Sequence, residues 1–176
     1  MLIHDELDNL FSNIASVFSV ENAKEIKRYL KDVIINIKLN SYSKNNRNLQ
    51  IANTDKLHPL RIYTGEIYYI TMTDGVGTEL KGDHLGIVIQ NTKANLYSSK
   101  VNVVPIEGDG SKINKNYNVE LSNSDLINGH LDKNPSRIIT TDILTVDKCR
   151  LGKKIGKVTP DKLDEIRKYI RKQLDI

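Results

Sequence analysis

The side chains best suited to moving protons stand at the ends of two neighbouring β-rich runs. His84 opens the run His84–Gln90, and Glu107 follows the run Lys100–Ile106. In an antiparallel pair the start of one strand lies beside the end of the next, and adjacent strands are about 4.8 Å apart. The spacing therefore allows the two residues to face each other. A histidine titrates near neutrality and serves as acid or base. A glutamate can act as its counterpart, and Lys81 adds a cation three residues before His84. Taken alone, His84 is an ordinary strand-end residue and Glu107 a turn residue. His4, His58 and His130 have no ligand-like spacing with Cys149 or the carboxylates, so no metal site is expected. No Walker-type phosphate loop or dinucleotide fingerprint occurs, and no cofactor is expected.

These residues belong to a strand meander. Glu66–Met72, His84–Gln90 and Lys100–Ile106 are rich in Ile, Val and Tyr, which suit a half-buried pleated surface. A polar turn, Asn91–Ser99, joins the last two. An eleven-residue loop, Thr73–Asp83, joins the first two and holds Gly75, Gly77 and Gly82. Glycine lets backbone approach a ligand closely, and long loops in compact domains are often functional. The loop therefore reads as a lid, with Glu79 either anchoring it or acting beside it.

Upstream, Leu7, Leu10, Phe11, Ile14, Val17 and Phe18 recur at helical spacing. Ser19 reads as the N-cap of a second helix with Glu21 in its first turn. Its apolar stripe runs from Val20 through Ile26, Leu30 and Val33 to Ile37, opposite Lys24, Lys27, Arg28 and Lys31. This helical hairpin is expected to pack on the rest of the chain or across a dimer, or to serve as a regulatory appendage. Residues 40–58 are rich in Asn and Ser and read as a linker. The chain accordingly divides into residues 1–58, a helical extension and linker, and residues 59–176. Downstream, the first strand is expected near Arg61–Met72, Val119–Leu121 as a short strand, and 122–135 as loop or a helical turn. Arg137–Val146 and Leu151–Val158 read as further strands. Thr159-Pro160 starts a last helix, as N-cap and first helical residue, with Leu163, Ile166, Ile170 and Leu174 on one face. The element content is α+β.

Several segments resemble the MazF/PemK family of toxin endoribonucleases. They are Gly65-Glu66-Ile67-Tyr68, then Gly77-Thr78-Glu79 with Gly82, then Gly86-Ile87-Val88-Ile89-Gln90-Asn91, and finally Ile143–Leu151. The similarity runs from about residue 62 to the C-terminus. It implies a small SH3-like antiparallel β-barrel with a C-terminal helix, acting as a homodimer in the cytoplasm and neutralised by a cognate antitoxin. It also implies metal-independent, sequence-selective cleavage of single-stranded RNA to a 2′,3′-cyclic phosphate and a 5′-hydroxyl. The family's arginine and threonine fall at His84 and Glu107 here. The resemblance thus puts His84 and Glu107 at the catalytic positions; Lys81 on the phosphate completes that set chemically, and Glu79, Gly82, Lys112 and Lys115 are expected to contact the substrate. The departure equally supports a catalytically degenerate barrel that binds RNA or a protein.

Composition fits this frame. The net charge is +4, and the surplus is concentrated at the end: residues 145–176 hold ten Lys/Arg against five Asp/Glu. A basic face favours polyanions. The single cysteine excludes an internal disulfide and fits a reducing compartment. No apolar run reaches the ~20 residues of a membrane span, and acidic residues near the N-terminus argue against a secretion signal.

Overall fold

The computed structural model describes residues 3–18, 23–108 and 113–176. Eight strands form one antiparallel sheet: β1 (Glu66–Ile70), β2 (His84–Val88), β3 (Lys100–Glu107), β4 (Asn118–Leu121), β5 (Leu126–Gly129), β6 (Ser136–Ile139), β7 (Leu144–Asp147) and β8 (Leu151–Val158). Their order is β4-β6-β3-β2-β1-β8-β5, and β7 also pairs with β3. Helices α1 (Ile3–Ser16) and α2 (Ala23–Ala52) precede the sheet, α3 (Thr92–Tyr97) joins β2 to β3, and α4 (Pro160–Leu174) ends the chain. The result is the expected α+β fold, a curled antiparallel sheet with N-terminal helices and a C-terminal helix.

The sheet carries apolar clusters on both faces. Alternation along β3 sends Val104 and Ile106 to one apolar cluster and Val101 and Val103 to another. The first cluster joins Ile67, Ile87 and Ile138 to Ile166 of α4. The second gathers Ile62, Tyr68, Ile70 and Val88. Helix α4 starts as its sequence dictates: the Thr159 side chain accepts from the Lys162 N–H, and Pro160 occupies the first turn.

Five segments differ in whole or in part from their sequence reading. The Asn/Ser-rich stretch taken as linker continues α2 to Ala52. Its polar side chains are spent on tertiary hydrogen bonds, which override weak helix propensity. Ser43 Oγ donates to Asp147 Oδ2 at 2.9 Å, and Gln50 Nε2 donates to the carbonyls of Lys56 and Tyr97. The polar turn after β2 contains α3, because Asn91 Oδ1 caps it at the Ala94 N–H. The loop 122–135 contains a 3-10 turn at Asn123–Asp125 and then β5. The run Arg137–Val146 is broken into β6 and β7, with Thr140 buried between them and its hydroxyl donating to the Tyr117 carbonyl. The first strand also begins later than Arg61, at Glu66, after a turn in which Gly65 takes φ +84°. The N-cap expected at Ser19 and the substrate contact expected at Lys112 lie outside the described residues.

Helix α2 reaches the glycine loop. Arg28 forms an ion pair with Asp74, and the Asp74 N–H donates to Asp32 Oδ2 at 2.8 Å. One turn on, Asn36 Oδ1 accepts from Arg150, whose other nitrogen donates to the Thr71 carbonyl.

Candidate active site

Strand pairing places His84 and Glu107 on one rung of the sheet. His84 pairs with Ile70 across β1–β2, and Leu85 pairs with Ile106 across β2–β3. That register carries His84 to the level of Glu107, the last residue of β3. Glu107 in turn pairs with Arg137 on β6. The Arg137 guanidinium donates from Nε to Glu107 Oε2 at 3.0 Å and from Nη2 to the same oxygen. The His84 ring is oriented from the loop side, where Nδ1 lies 3.0 Å from the Gly82 carbonyl. A carbonyl only accepts, so this bond puts the proton on Nδ1 and leaves Nε2 as the ring's working atom.

His84 and Glu107 open on a cavity of about 670 Å³. Its other walls come from the turn after β5 and from β8, with His130, Lys133, Lys153 and Lys154 among the lining. Lys133 lies over the end of β3 because Gly108 has no side chain: a Cβ there would stand 2.3 Å from Lys133 Cδ. Lys154 is held by Glu66, whose Oε1 accepts from Nζ at 2.5 Å. The buried Glu66 carboxylate also accepts from the Tyr63 N–H and the Tyr68 hydroxyl, both at 2.8 Å to Oε2. Burial, and then this carboxylate, push the Tyr68 hydroxyl's pKa upward. The cleft thus joins two histidines (His84, His130), three carboxylates (Asp83, Glu107, Asp132) and three lysines (Lys133, Lys153, Lys154), a set able to move protons around a bound phosphate ester.

Residues 63–174 match the family model described as PemK-like, MazF-like toxin of type II toxin-antitoxin system. The chain belongs to this family. The endoribonuclease MazF of Staphylococcus saprophyticus subsp. saprophyticus is 32% identical over 106 residues, a match spanning 60% of this chain and 85% of that protein. MazF (Form-I) from Deinococcus radiodurans shares the fold with a TM-score of 0.53 at 14% identity, covering 66% of this chain and 99% of that one. An endoribonuclease from Mycobacterial species gives a TM-score of 0.52 at 18% identity, covering 66% and 94%. Residues 1–62 of the MazF-like chain lie outside the family match.

In this MazF-like toxin the opening Gly65-Glu66-Ile67-Tyr68 segment has a physical use: Glu66 ties Lys154 of β8 to the cleft wall. Of the remaining residues singled out in the sequence, Gly82 supplies the carbonyl that orients His84. Glu79 folds back on its own loop, accepting from the Val76 N–H at 2.8 Å. Lys81 is exposed and is not part of the cavity lining. Lys115 is also exposed and outside the lining, its carbonyl accepting from the Tyr169 hydroxyl. Cys149 is half-buried, and burial followed by the neighbouring Asp147 pushes its thiol pKa up to about 12, which suits a structural thiol. Among the described residues no group of three His, Cys, Asp or Glu is placed to hold a metal ion, and no helix is long and apolar enough to cross a membrane. Sequence reasoning missed Arg137, His130, Lys133, Lys153 and Lys154. Arg137 stands thirty residues from Glu107, and only the non-consecutive pairing of β3 with β6 joins them.

Proposed function

We infer that this chain is a cytoplasmic endoribonuclease toxin that cleaves single-stranded RNA without a metal ion and is neutralised by a cognate antitoxin. Residues 59–176 form its catalytic barrel, working as a homodimer, and residues 1–58 its extension. His84 and Glu107 are the proton-transfer pair. The Glu107 carboxylate, ion-paired with Arg137, takes the proton of the 2′-hydroxyl as that oxygen attacks the adjacent phosphorus. The P–O5′ bond breaks as the 5′-oxygen takes a proton from Nε2 of the His84 imidazolium, whose Nδ1–H stays on the Gly82 carbonyl, giving a 2′,3′-cyclic phosphate and a 5′-hydroxyl. Arg137 orients the Glu107 carboxylate. The phosphate is held by the cationic wall of Lys133, Lys153 and Lys154 rather than by Lys81 alone. The observation that carries this reading is the common rung of His84 and Glu107 on the cavity, with Arg137 paired behind Glu107, in a chain of this family.

The test is incubation of the antitoxin-free protein with a long single-stranded RNA in EDTA, followed by analysis of fragment ends. Fragments with 5′-hydroxyl ends that disappear in His84→Ala are expected. Cleavage at full rate by His84→Ala would remove His84 from the reaction. A second reading is favoured by the histidine and glutamate standing where the family resemblance expects arginine and threonine: a barrel that binds RNA or protein without cutting. Intact RNA, bound with a steep salt dependence by demonstrably folded protein, would select it.

A further inference from the structure

Helix α2 turns its polar side to the barrel and its apolar side away from it. Arg28, Asp32, Asn36, Ser43, Asn46 and Gln50 succeed one another at steps of three, four or seven, and so share one face. Five of them bond to the loop or the barrel, and Asn46 is buried. At 100° per residue, Leu30, Val33, Ile34 and Ile37 fall on the opposite side. These four are between 43% and 64% exposed. Helix α1 carries a second stripe, with Leu7, Leu10 and Phe11 between 44% and 64% exposed, and it buries no residue at all. A 14-residue helix that buries none of its residues is marginal in water, and a contiguous exposed apolar patch marks an interaction surface. Within one chain both stripes stay uncovered.

Charge says which surfaces fit. Helix α1 contains Asp5, Glu6 and Asp8 and no Lys or Arg. Lys27, Lys31 and Lys38 border the stripe of α2 along one edge. An acidic amphipathic helix and a basic one are complementary, and a second copy of the chain presents both. The geometry points to a self-association surface in which α1 of each copy lies on the apolar stripe of α2 of the other. This contact is isologous, so each acidic-on-basic pairing forms twice. The contact lies outside the region that matches the family model, so it is independent of any dimer made by the barrel.

The test uses the full chain with Cys149→Ser as background. One preparation carries Leu10→Cys, another of different tag carries Val33→Cys, and the two are mixed and treated with a short bismaleimide. The expected product is a covalent heterodimer. Its yield should fall several-fold when Lys27→Glu and Lys31→Glu are added to the second preparation, and recover when Glu6→Lys and Asp8→Lys are added to the first. Two outcomes overturn the proposal. One is no cross-link between the two preparations while a third, carrying Leu10→Cys and Val33→Cys in one chain, cross-links only within itself, which would mean that α1 covers its own α2. The other is no cross-link except on addition of a different protein, which would assign the stripe to that partner. A barrel-mediated dimer alone does not join these positions, so sedimentation as a dimer without the cross-link also counts against the proposal.

Discussion

Replacing Glu66 isolates the contribution of one buried carboxylate. Its side chain is 6% exposed and serves three donors: the Tyr63 N–H and Tyr68 hydroxyl on one oxygen, and Lys154 on the other. In Glu66→Ala the first two donors stay enclosed without an acceptor, at about 1–3 kcal/mol each. Lys154 is 43% exposed and turns to water, so its lost ion pair adds at most about 1 kcal/mol. The expected destabilisation is therefore about 2–7 kcal/mol, which in a chain of this size lowers the melting temperature by at least roughly 4 °C. Glu66→Gln keeps an acceptor for Tyr63 and Tyr68 and turns its amide nitrogen toward Lys154, which moves out; its cost is about 1 kcal/mol. Urea unfolding of the wild type and both variants measures these values. An alanine variant within about 1 kcal/mol of the wild type, with an unchanged denaturant slope, would refute the reasoning that this carboxylate ties β1 to β8.

Three other outcomes are expected. Lys148 is buried, its ammonium donating to the Leu60 and Asn95 carbonyls, and burial, then the Arg61 charge, lower its pKa to about 8. Between about 8 and its unfolded value near 10.5, the unfolded chain holds more protons at this site, so this group makes stability rise with pH across that window. The stability of the wild type relative to Lys148→Met should therefore increase from pH 8 to pH 10.5; a flat difference in chemical denaturation would contradict it. Gly129 has φ +93°, and a Cβ there would stand 2.1 Å from the Ile155 carbonyl oxygen. Gly129→Ala should cost about 2–3 kcal/mol in thermal unfolding through strain and loss of β5–β8 pairing. Arg28→Ala should speed proteolytic cutting within residues 73–83 several-fold while global stability changes by less than about 1 kcal/mol, because Arg28 is half exposed and its partner loop opens locally.

Local pattern was enough to place His84 beside Glu107, because antiparallel strands separated by a single connection return to the same end. It was also enough for the capped start of α4, whose signals lie within four residues of one another. Arg137 was not legible: its partner is set by which strands become neighbours, and the order β6-β3-β2 places β6 beside a strand far earlier in the chain. The second half of α2 was hidden for a different reason. Ser43, Asn46 and Gln50 are weak evidence for a helix by themselves, and their acceptors or enclosing residues belong to distant segments. The outward apolar stripe of α2 was visible as a periodicity, but a period gives a face without saying which way the face points.

The tie between α2 and Asp74 changes what kind of object the glycine loop is. Thr73–Asp83 is anchored at one end by strand β2, and at the other by a helix some 45 Å long rather than by its own turn chemistry. Fixing Asp74 shortens the freely jointed part of the loop and removes configurations it would otherwise sample, so part of the entropy of ordering the loop is absorbed when the chain folds. A chain trimmed to the family-matching residues would retain every cleft side chain yet carry a loop with a wider distribution of shapes. Substitutions at Arg28 or Asp32, remote in sequence and outside the matched region, would then register at the cleft as changes in the frequency of competent loop geometries.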